Sequence, residues 1–130
     1  MNNVKPSPAE ATQQHGWRVL IVEDEYFLAD DLARGFAQEG ISIAGPVPSL
    51  EQAMELVEQR QINLAVLDIA LDGSKAYDVA DALIAQDVPF LFVTGYDRDA
   101  IPDRYADVPI CQKPASAKEV ISALERIIAK

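Results

Sequence analysis

The stretch Leu64-Ala65-Val66-Leu67-Asp68 places an acidic residue directly after four apolar residues in a row. An uninterrupted apolar run of this length is typical of a strand that is covered on both faces, as in a parallel sheet. Open parallel sheets place their ligand sites beyond the carboxyl ends of their strands. Asp68 is therefore the first candidate for a functional side chain.

Further apolar runs of the chain also end in polar residues. If these runs are neighbouring parallel strands, their ends bring carboxylates, a hydroxyl and an amine to one edge of the sheet. Taken singly, each polar residue could be a helix cap, a turn residue or a solvated charge, but their conjunction favours a shared site. The runs and the residues that follow them are Arg18–Val22 with Glu23 and Asp24, Phe90–Val93 with Thr94, and Pro109–Gln112 with Lys113.

Amphipathic stretches alternate with the apolar runs, which predicts five β-α units and an α/β fold with helices on both faces of a parallel sheet. Ser49 with Gln52, and Ser116 with Glu119, have the spacing of a capping box at a helix start. Between Tyr96 and Val108, Pro102 and several charged residues interrupt the apolar pattern. We therefore expect the fourth helix to be short or distorted.

Composition limits the class of protein. The chain has 130 residues, with 21 acidic against 11 basic residues and a formal charge of −10, which disfavours binding to nucleic acid or anionic membranes. We expect a flexible leader over residues 1–16 and one folded domain over 17–130. With a single cysteine, no signal-like segment and no run of membrane-spanning length, a cytoplasmic location is the default expectation.

Carboxylates held close together must raise their pKa or find a counter-charge. Mg²⁺ prefers oxygen ligands, so Glu23, Asp24 and Asp68 suit it better than they suit zinc or copper. A carboxylate can also attack phosphorus and form an aspartyl-phosphate. Phosphoryl transfer depends on groups that neutralise the phosphoryl oxygens, and Thr94 and Lys113 meet that need.

These residues resemble the receiver domain of two-component response regulators. The resemblance extends over about Trp17 to Lys130, and four motifs in order carry it. They are Val22-Glu23-Asp24-Glu25, Leu67-Asp68-Ile69, Val93-Thr94-Gly95 and Lys113-Pro114. It implies a flavodoxin-like three-layer sandwich, with a five-stranded parallel sheet of order 2-1-3-4-5 flanked by five helices.

The resemblance also implies roles for single residues. Asp68 would accept a phosphoryl group from a histidine kinase or a histidine phosphotransfer protein. Thr94 would bond a phosphoryl oxygen, Lys113 would pair with the phosphorylated side chain, and the bond before Pro114 would be cis. The Mg²⁺ ligands would be Asp24 directly, Glu23 through water, Asp68, and the backbone carbonyl of Ala70.

The chain departs from the family pattern at the switch. The family usually has an aromatic residue in the fifth strand, at the position of Ile110, and an aliphatic side chain cannot replace it. Phe92-Val93-Thr94-Gly95-Tyr96 looks like the variant motif of certain single-domain regulators from alphaproteobacteria, in which Tyr96 would take part of that role. The disrupted stretch 97–108 would alter the surface that many members use for dimerisation or output.

Several functions are compatible with these motifs. The first is a stand-alone regulator that is monomeric or weakly dimeric and is not a conventional enzyme. It would signal through phosphorylation-dependent contacts with a protein target, or it would act as a phosphate sink for a kinase. A second is a receiver-like binding module that is not phosphorylated. A third is a flavodoxin-like cofactor carrier, but Glu23-Asp24-Glu25 would repel a cofactor phosphate where such a carrier needs backbone N–H groups.

Overall fold

The computed structural model describes residues 16–69 and 74–129, with the side chains of residues 74 and 75 excepted. Its strands form one parallel five-stranded sheet of order β2-β1-β3-β4-β5, as predicted. The leader predicted over residues 1–16 falls almost entirely outside the described residues. The strands are β1 (Arg18–Val22), β2 (Ser42–Val47), β3 (Leu64–Asp68), β4 (Phe90–Thr94) and β5 (Ile110–Gln112).

The described part of the chain has four α-helices, of which three connect consecutive strands and the last follows β5. Both predicted N-caps are present: the Gln52 N–H donates to Ser49 Oγ at 3.2 Å, and the Glu119 N–H donates to Ser116 Oγ at 3.1 Å. At Ser116 the capping box is complete, because the Ser116 N–H donates to Glu119 Oε1 at 3.0 Å. Each bond satisfies an N–H group that the helix itself leaves without a partner. The helices are α1 (Tyr26–Gln38), α2 (Leu50–Glu58), α3 (Ser74–Ala85) and α4 (Ala117–Ala129).

Two short 3₁₀ helices, Arg98–Ala100 and Asp103–Tyr105, lie in the stretch where a short or distorted fourth helix was predicted. The prediction of a short or distorted fourth helix is therefore confirmed, and four α-helices rather than the five expected flank the sheet within the described residues. The Arg98 side chain holds this segment in place, because its guanidinium donates hydrogen bonds to the carbonyl oxygens of Tyr105 at 3.1 Å and Val108 at 2.6 Å. Side-chain contacts thus replace the backbone ladder of a longer helix.

The core consists of two apolar layers, one on each face of the sheet. One layer joins the sheet to α2, α3 and the 97–108 segment, and the other joins it to α1 and α4. All five residues of β3 and all five of β4 are buried, as expected for central strands covered on both sides. The strand ends that carry the polar residues are therefore held rigidly in register.

No helix within residues 16–69 and 74–129 has both the length and the apolar character that crossing a membrane requires.

Gly35 lies where α1 packs tightly against the start of α4. A Cβ atom built at this position would overlap the Cβ of Ala117. We predict that Gly35→Ala destabilises the protein by about 1–3 kcal/mol, the usual cost of overpacking. The change in free energy of unfolding is measured by urea denaturation.

The matched control for this prediction removes the opposing atom. In an Ala117→Gly background, Gly35→Ala is expected to cost markedly less, because the two sites interact directly. Equal costs in the two backgrounds would show that the helix contact is not responsible.

Candidate functional site

The polar residues that follow the strands meet at one edge of the sheet. In the strand pairing, Val22 lies opposite Leu67, Asp68 opposite Val93, and Thr94 opposite Gln112. Each register position places the next polar residue beside its neighbours. Glu23, Asp68 and Thr94 are all buried, with exposed fractions of 2%, 1% and 0%.

Lys113 connects the acidic residues at this edge. Its Nζ donates to Asp68 Oδ2 at 3.0 Å and lies 3.4 Å from Glu23 Oε1 and 3.9 Å from Glu25 Oε2. Partial burial opposes the ionisation of Lys113, but the hydrogen bond to Asp68 and the nearby carboxylates raise its pKa above the ordinary value. The lysine is therefore a fixed positive charge on the candidate phosphoacceptor.

Glu23 is buried, so its carboxylate has lost most of its contact with water. The Glu25 N–H donates to its Oε2 at 3.0 Å, whereas its buried Oε1 accepts no hydrogen bond from the part of the chain that the structure describes. Burial raises the pKa of Glu23 to about 7; the Glu25 N–H opposes this shift, and Asp68 adds to it. A buried carboxylate oxygen without a donor is suited to a cation.

The acidic cluster fits a divalent cation. One carboxylate oxygen from each of Glu23, Asp24 and Asp68 lies within 4.8 Å of the others, with Asp24 exposed and the other two buried. Three oxygen ligands, one open to solvent, match the preference of Mg²⁺ for carboxylates and retained waters. Ala70, whose carbonyl was expected to join this set, lies outside the described residues.

Thr94 is also at this edge, and its hydroxyl oxygen accepts the Tyr96 N–H at 2.9 Å. The expected cis peptide bond between Lys113 and Pro114 is present, and the Gly45-Pro46 bond, which was not predicted, is cis as well. The Ile110 side chain is partly buried and packs on the core, whereas Tyr96 is 51% exposed. Of the proposed switch residues, only Thr94 lies fully buried at the strand ends.

Sequence reasoning missed two contributors to this region. Gln112 Nε2 donates to the Tyr96 carbonyl oxygen at 3.3 Å and to Asp97 Oδ1 at 3.4 Å, which ties the loop after Thr94 to β5. Tyr105 is fully buried, although it lies in the stretch whose pattern is broken. The sequence showed Tyr105 only as an aromatic residue isolated among charged neighbours, which does not indicate whether its side chain faces the core or the solvent.

Comparison with known proteins agrees with this geometry. A family model described as the response regulator receiver domain matches residues 19–125. The chain is 27% identical over 117 residues to the transcriptional regulatory protein PdtaR of Mycobacterium tuberculosis, and the match covers 87% of this chain and 57% of that protein. It is 34% identical over 118 residues to the sensory transduction protein RegX3 of Mycolicibacterium smegmatis, with 85% and 50% covered. The chain thus spans about half the length of these curated relatives.

Among solved structures, the chain is similar to SdrG from Pseudomonas melonis Fr1 in its BeF3-activated conformation. The TM-score is 0.73 and the sequence identity 37%, and the match covers 85% of this chain and 95% of that one. The family match extends over residues 19–125 and so includes Glu23, Asp24, Asp68, Thr94 and Lys113. The chain therefore belongs to the family of response regulator receiver domains.

Proposed function

We propose that the protein is a response regulator whose receiver domain accepts a phosphoryl group on Asp68 from a histidine kinase or a histidine phosphotransfer protein. The observation that carries this proposal is the 3.0 Å contact between Lys113 Nζ and the buried Asp68 carboxylate, next to two further acidic residues. A buried aspartate paired in this way is a positioned nucleophile rather than a solvated surface charge.

In the proposed reaction, an Asp68 oxygen attacks the phosphorus of a phosphohistidine. A P–O bond forms while the P–N bond breaks, and the imidazole of the donor leaves with the electron pair. Glu23, Asp24, Asp68 and the Ala70 carbonyl would hold Mg²⁺, which when bound supplies positive charge to the phosphoryl oxygens. The carboxylates thereby gain a counter-charge that Lys113 alone does not provide.

The remaining residues act after transfer. Phosphorylation changes an aspartate into a dianionic group with three strong acceptor oxygens. Lys113 is already in contact with Asp68 and would follow the new charge, and the Thr94 hydroxyl would donate to a phosphoryl oxygen. The Thr94 oxygen can still accept the Tyr96 N–H, so Tyr96 would move with Thr94.

The output proposed here is a phosphorylation-dependent protein contact. Because Ile110 is aliphatic, the aromatic part of the response is assigned to Tyr96, in the Phe92–Tyr96 motif of the variant regulators. The ring of Tyr96 is 51% exposed and so has room to change position. A chain that labels with phosphate but shows no change at Tyr96 would act as a phosphate sink instead.

The first prediction of this proposal concerns the phosphoacceptor. Incubated with Mg²⁺ and a small phosphodonor, the wild-type protein is expected to gain the mass of one phosphoryl group, because Asp68 is held as a nucleophile. Asp68→Asn is expected to gain none, since an amide is not nucleophilic toward phosphorus. Asp78→Asn, an exposed change on α3, is the matched control and should label like wild type. Intact mass measurement decides, and equal labelling of Asp68→Asn would refute the assignment.

The second prediction concerns the metal. Asp24→Asn is expected to weaken Mg²⁺ binding by about tenfold or more, because it removes an anionic oxygen from the cluster. Glu55→Gln, an exposed change on α2, alters the net charge by the same amount far from the site. Titration with Mg²⁺ measures both variants. Similar losses of affinity would mean that net charge, and not the cluster, attracts the ion.

The third prediction concerns Lys113. Lys113→Ala is expected to retain labelling of Asp68 but to reduce the change in the backbone NMR spectrum that accompanies it, because the charge that follows the phosphoryl group is gone. Lys118→Ala removes an exposed lysine from α4 and is the control. A full spectral change in Lys113→Ala would exclude the lysine from the response.

A further inference from the structure

Lys113 has a third acidic partner, Glu25, which lies outside the candidate metal ligands. Its Nζ lies 3.0 Å from Asp68 Oδ2 and 3.4 Å from Glu23 Oε1, and both of these carboxylates belong to the acidic cluster. Glu25 Oε2 lies at 3.9 Å and is not in that cluster. The Glu25 side chain is 63% exposed, whereas that of Glu23 is 1% exposed. Glu25 can therefore change position without disturbing the core.

The start of α1 does not explain where the Glu25 carboxylate points. Glu25 is the N-cap residue, a position at which a side-chain oxygen often accepts an N–H group of the first turn, but its side chain makes no such bond. Its backbone does the structural work: its carbonyl oxygen accepts the Ala29 N–H at 2.9 Å, and its N–H donates to Glu23 Oε2 at 3.0 Å. The carboxylate itself is left to pair with Lys113.

A divalent cation in the acidic cluster would compete with Lys113. The ammonium group and the cation need the same carboxylates, those of Asp68 and Glu23, and two positive charges held a few ångströms apart in a partly buried site repel each other. Lys113 must then give up part of its contact with Asp68. A long, flexible side chain without another anionic partner would turn to the solvent, and its charge would leave the phosphoacceptor.

We propose that Glu25 is a positioning residue that retains Lys113 at the mouth of the site while a divalent cation occupies Glu23 and Asp68. This inference rests on the proposed function, which requires both the cation and the lysine beside Asp68. The 3.9 Å ion pair would become shorter as Lys113 withdraws from Asp68. Glu25 would thus act on phosphoryl transfer through Lys113, without contacting the phosphoryl group.

Glu25→Gln isolates the charge of this side chain, because both backbone contacts of the residue remain. Without the cation, Lys113 still has Asp68 as its partner and should stay in place. With the cation, Lys113 has no remaining partner outside the cluster among its described ion pairs. Binding of the cation should therefore become less favourable, by about fivefold in affinity, as for the loss of one direct side-chain coupling.

Titration with Mg²⁺ in a double-mutant cycle tests the proposal. Glu25→Gln should weaken Mg²⁺ binding by about fivefold in the wild-type background, but by less than about twofold in Lys113→Gln, where no lysine needs a partner. Glu51→Gln removes an exposed acidic residue from the first turn of α2 and is the matched control, expected to change affinity by less than about twofold in both backgrounds.

The outcomes of the titration separate the two proposals. Equal losses for Glu25→Gln in both backgrounds would mean that Glu25 attracts the cation only as a nearby charge, which would overturn this inference alone. A wild-type protein that binds no Mg²⁺ would overturn the proposed function, and the inference with it.

The lysine side chain provides a second readout that needs no change at Lys113, and it decides alone if Lys113→Gln does not fold. In NMR spectra, the two Hε protons of a lysine that is held in one position give separate signals, which merge when the side chain rotates freely. Those of Lys113 should be separate in the wild type with and without Mg²⁺, but in Glu25→Gln only without it. The exposed Lys118 is the reference for merged signals. Separate Lys113 signals in Mg²⁺-saturated Glu25→Gln, or merged ones in the Mg²⁺-saturated wild type, would contradict the proposal.

Discussion

The contact between Asp68 and Lys113 is the interaction on which the arrangement of the site depends. The parallel sheet places several acidic residues at a single edge. Isolated charges are costly there, because the buried strands around them form a low-dielectric environment. Lys113 lowers that cost for Asp68 through a 3.0 Å hydrogen bond. It does not remove the cost for Glu23, whose pKa rises to about 7 because of burial. The remaining demand for positive charge is what makes the cluster suited to a cation.

Placing these groups requires rigid strands, and rigidity limits what the sheet can contribute to signalling. The central strands β3 and β4 are buried along their whole length between two apolar layers, so they cannot shift without disturbing both. Any response to phosphate must therefore come from the loops beyond the strand ends. The loop after Thr94 is the one tied to β5 by Gln112 and followed directly by the irregular segment.

The sequence was informative where local pattern and function coincide. Asp68 and Thr94 are the last residues of their strands and Lys113 directly follows β5, so predicting the strands also located the site. The N-caps at Ser49 and Ser116 marked helix starts through side-chain chemistry alone. The 97–108 segment was not predictable in this way. Its conformation depends on Arg98 binding carbonyl oxygens seven and ten residues further along and on Tyr105 reaching Asp81 on α3, 24 residues earlier in the chain. No period in the sequence encodes such contacts, and only the failure of the helical pattern could be seen.

The aliphatic residue at 110 and the buried aromatic residue at 105 are physically linked. Ile110 lies opposite Phe92 in the sheet and packs on the same apolar layer, and Phe92 contacts the ring of Tyr105. A larger ring at position 110 would compete for volume in a layer that already contains Phe92, Tyr77 and Tyr105, and overpacking of that kind is destabilising. The ring that packs against Phe92 and Tyr77 therefore comes from the 97–108 segment, as Tyr105, and not from β5. A segment anchored by a few side-chain contacts, such as the hydrogen bond from Tyr105 to Asp81, can be loosened by changing one of them, whereas a strand is held by its whole backbone ladder.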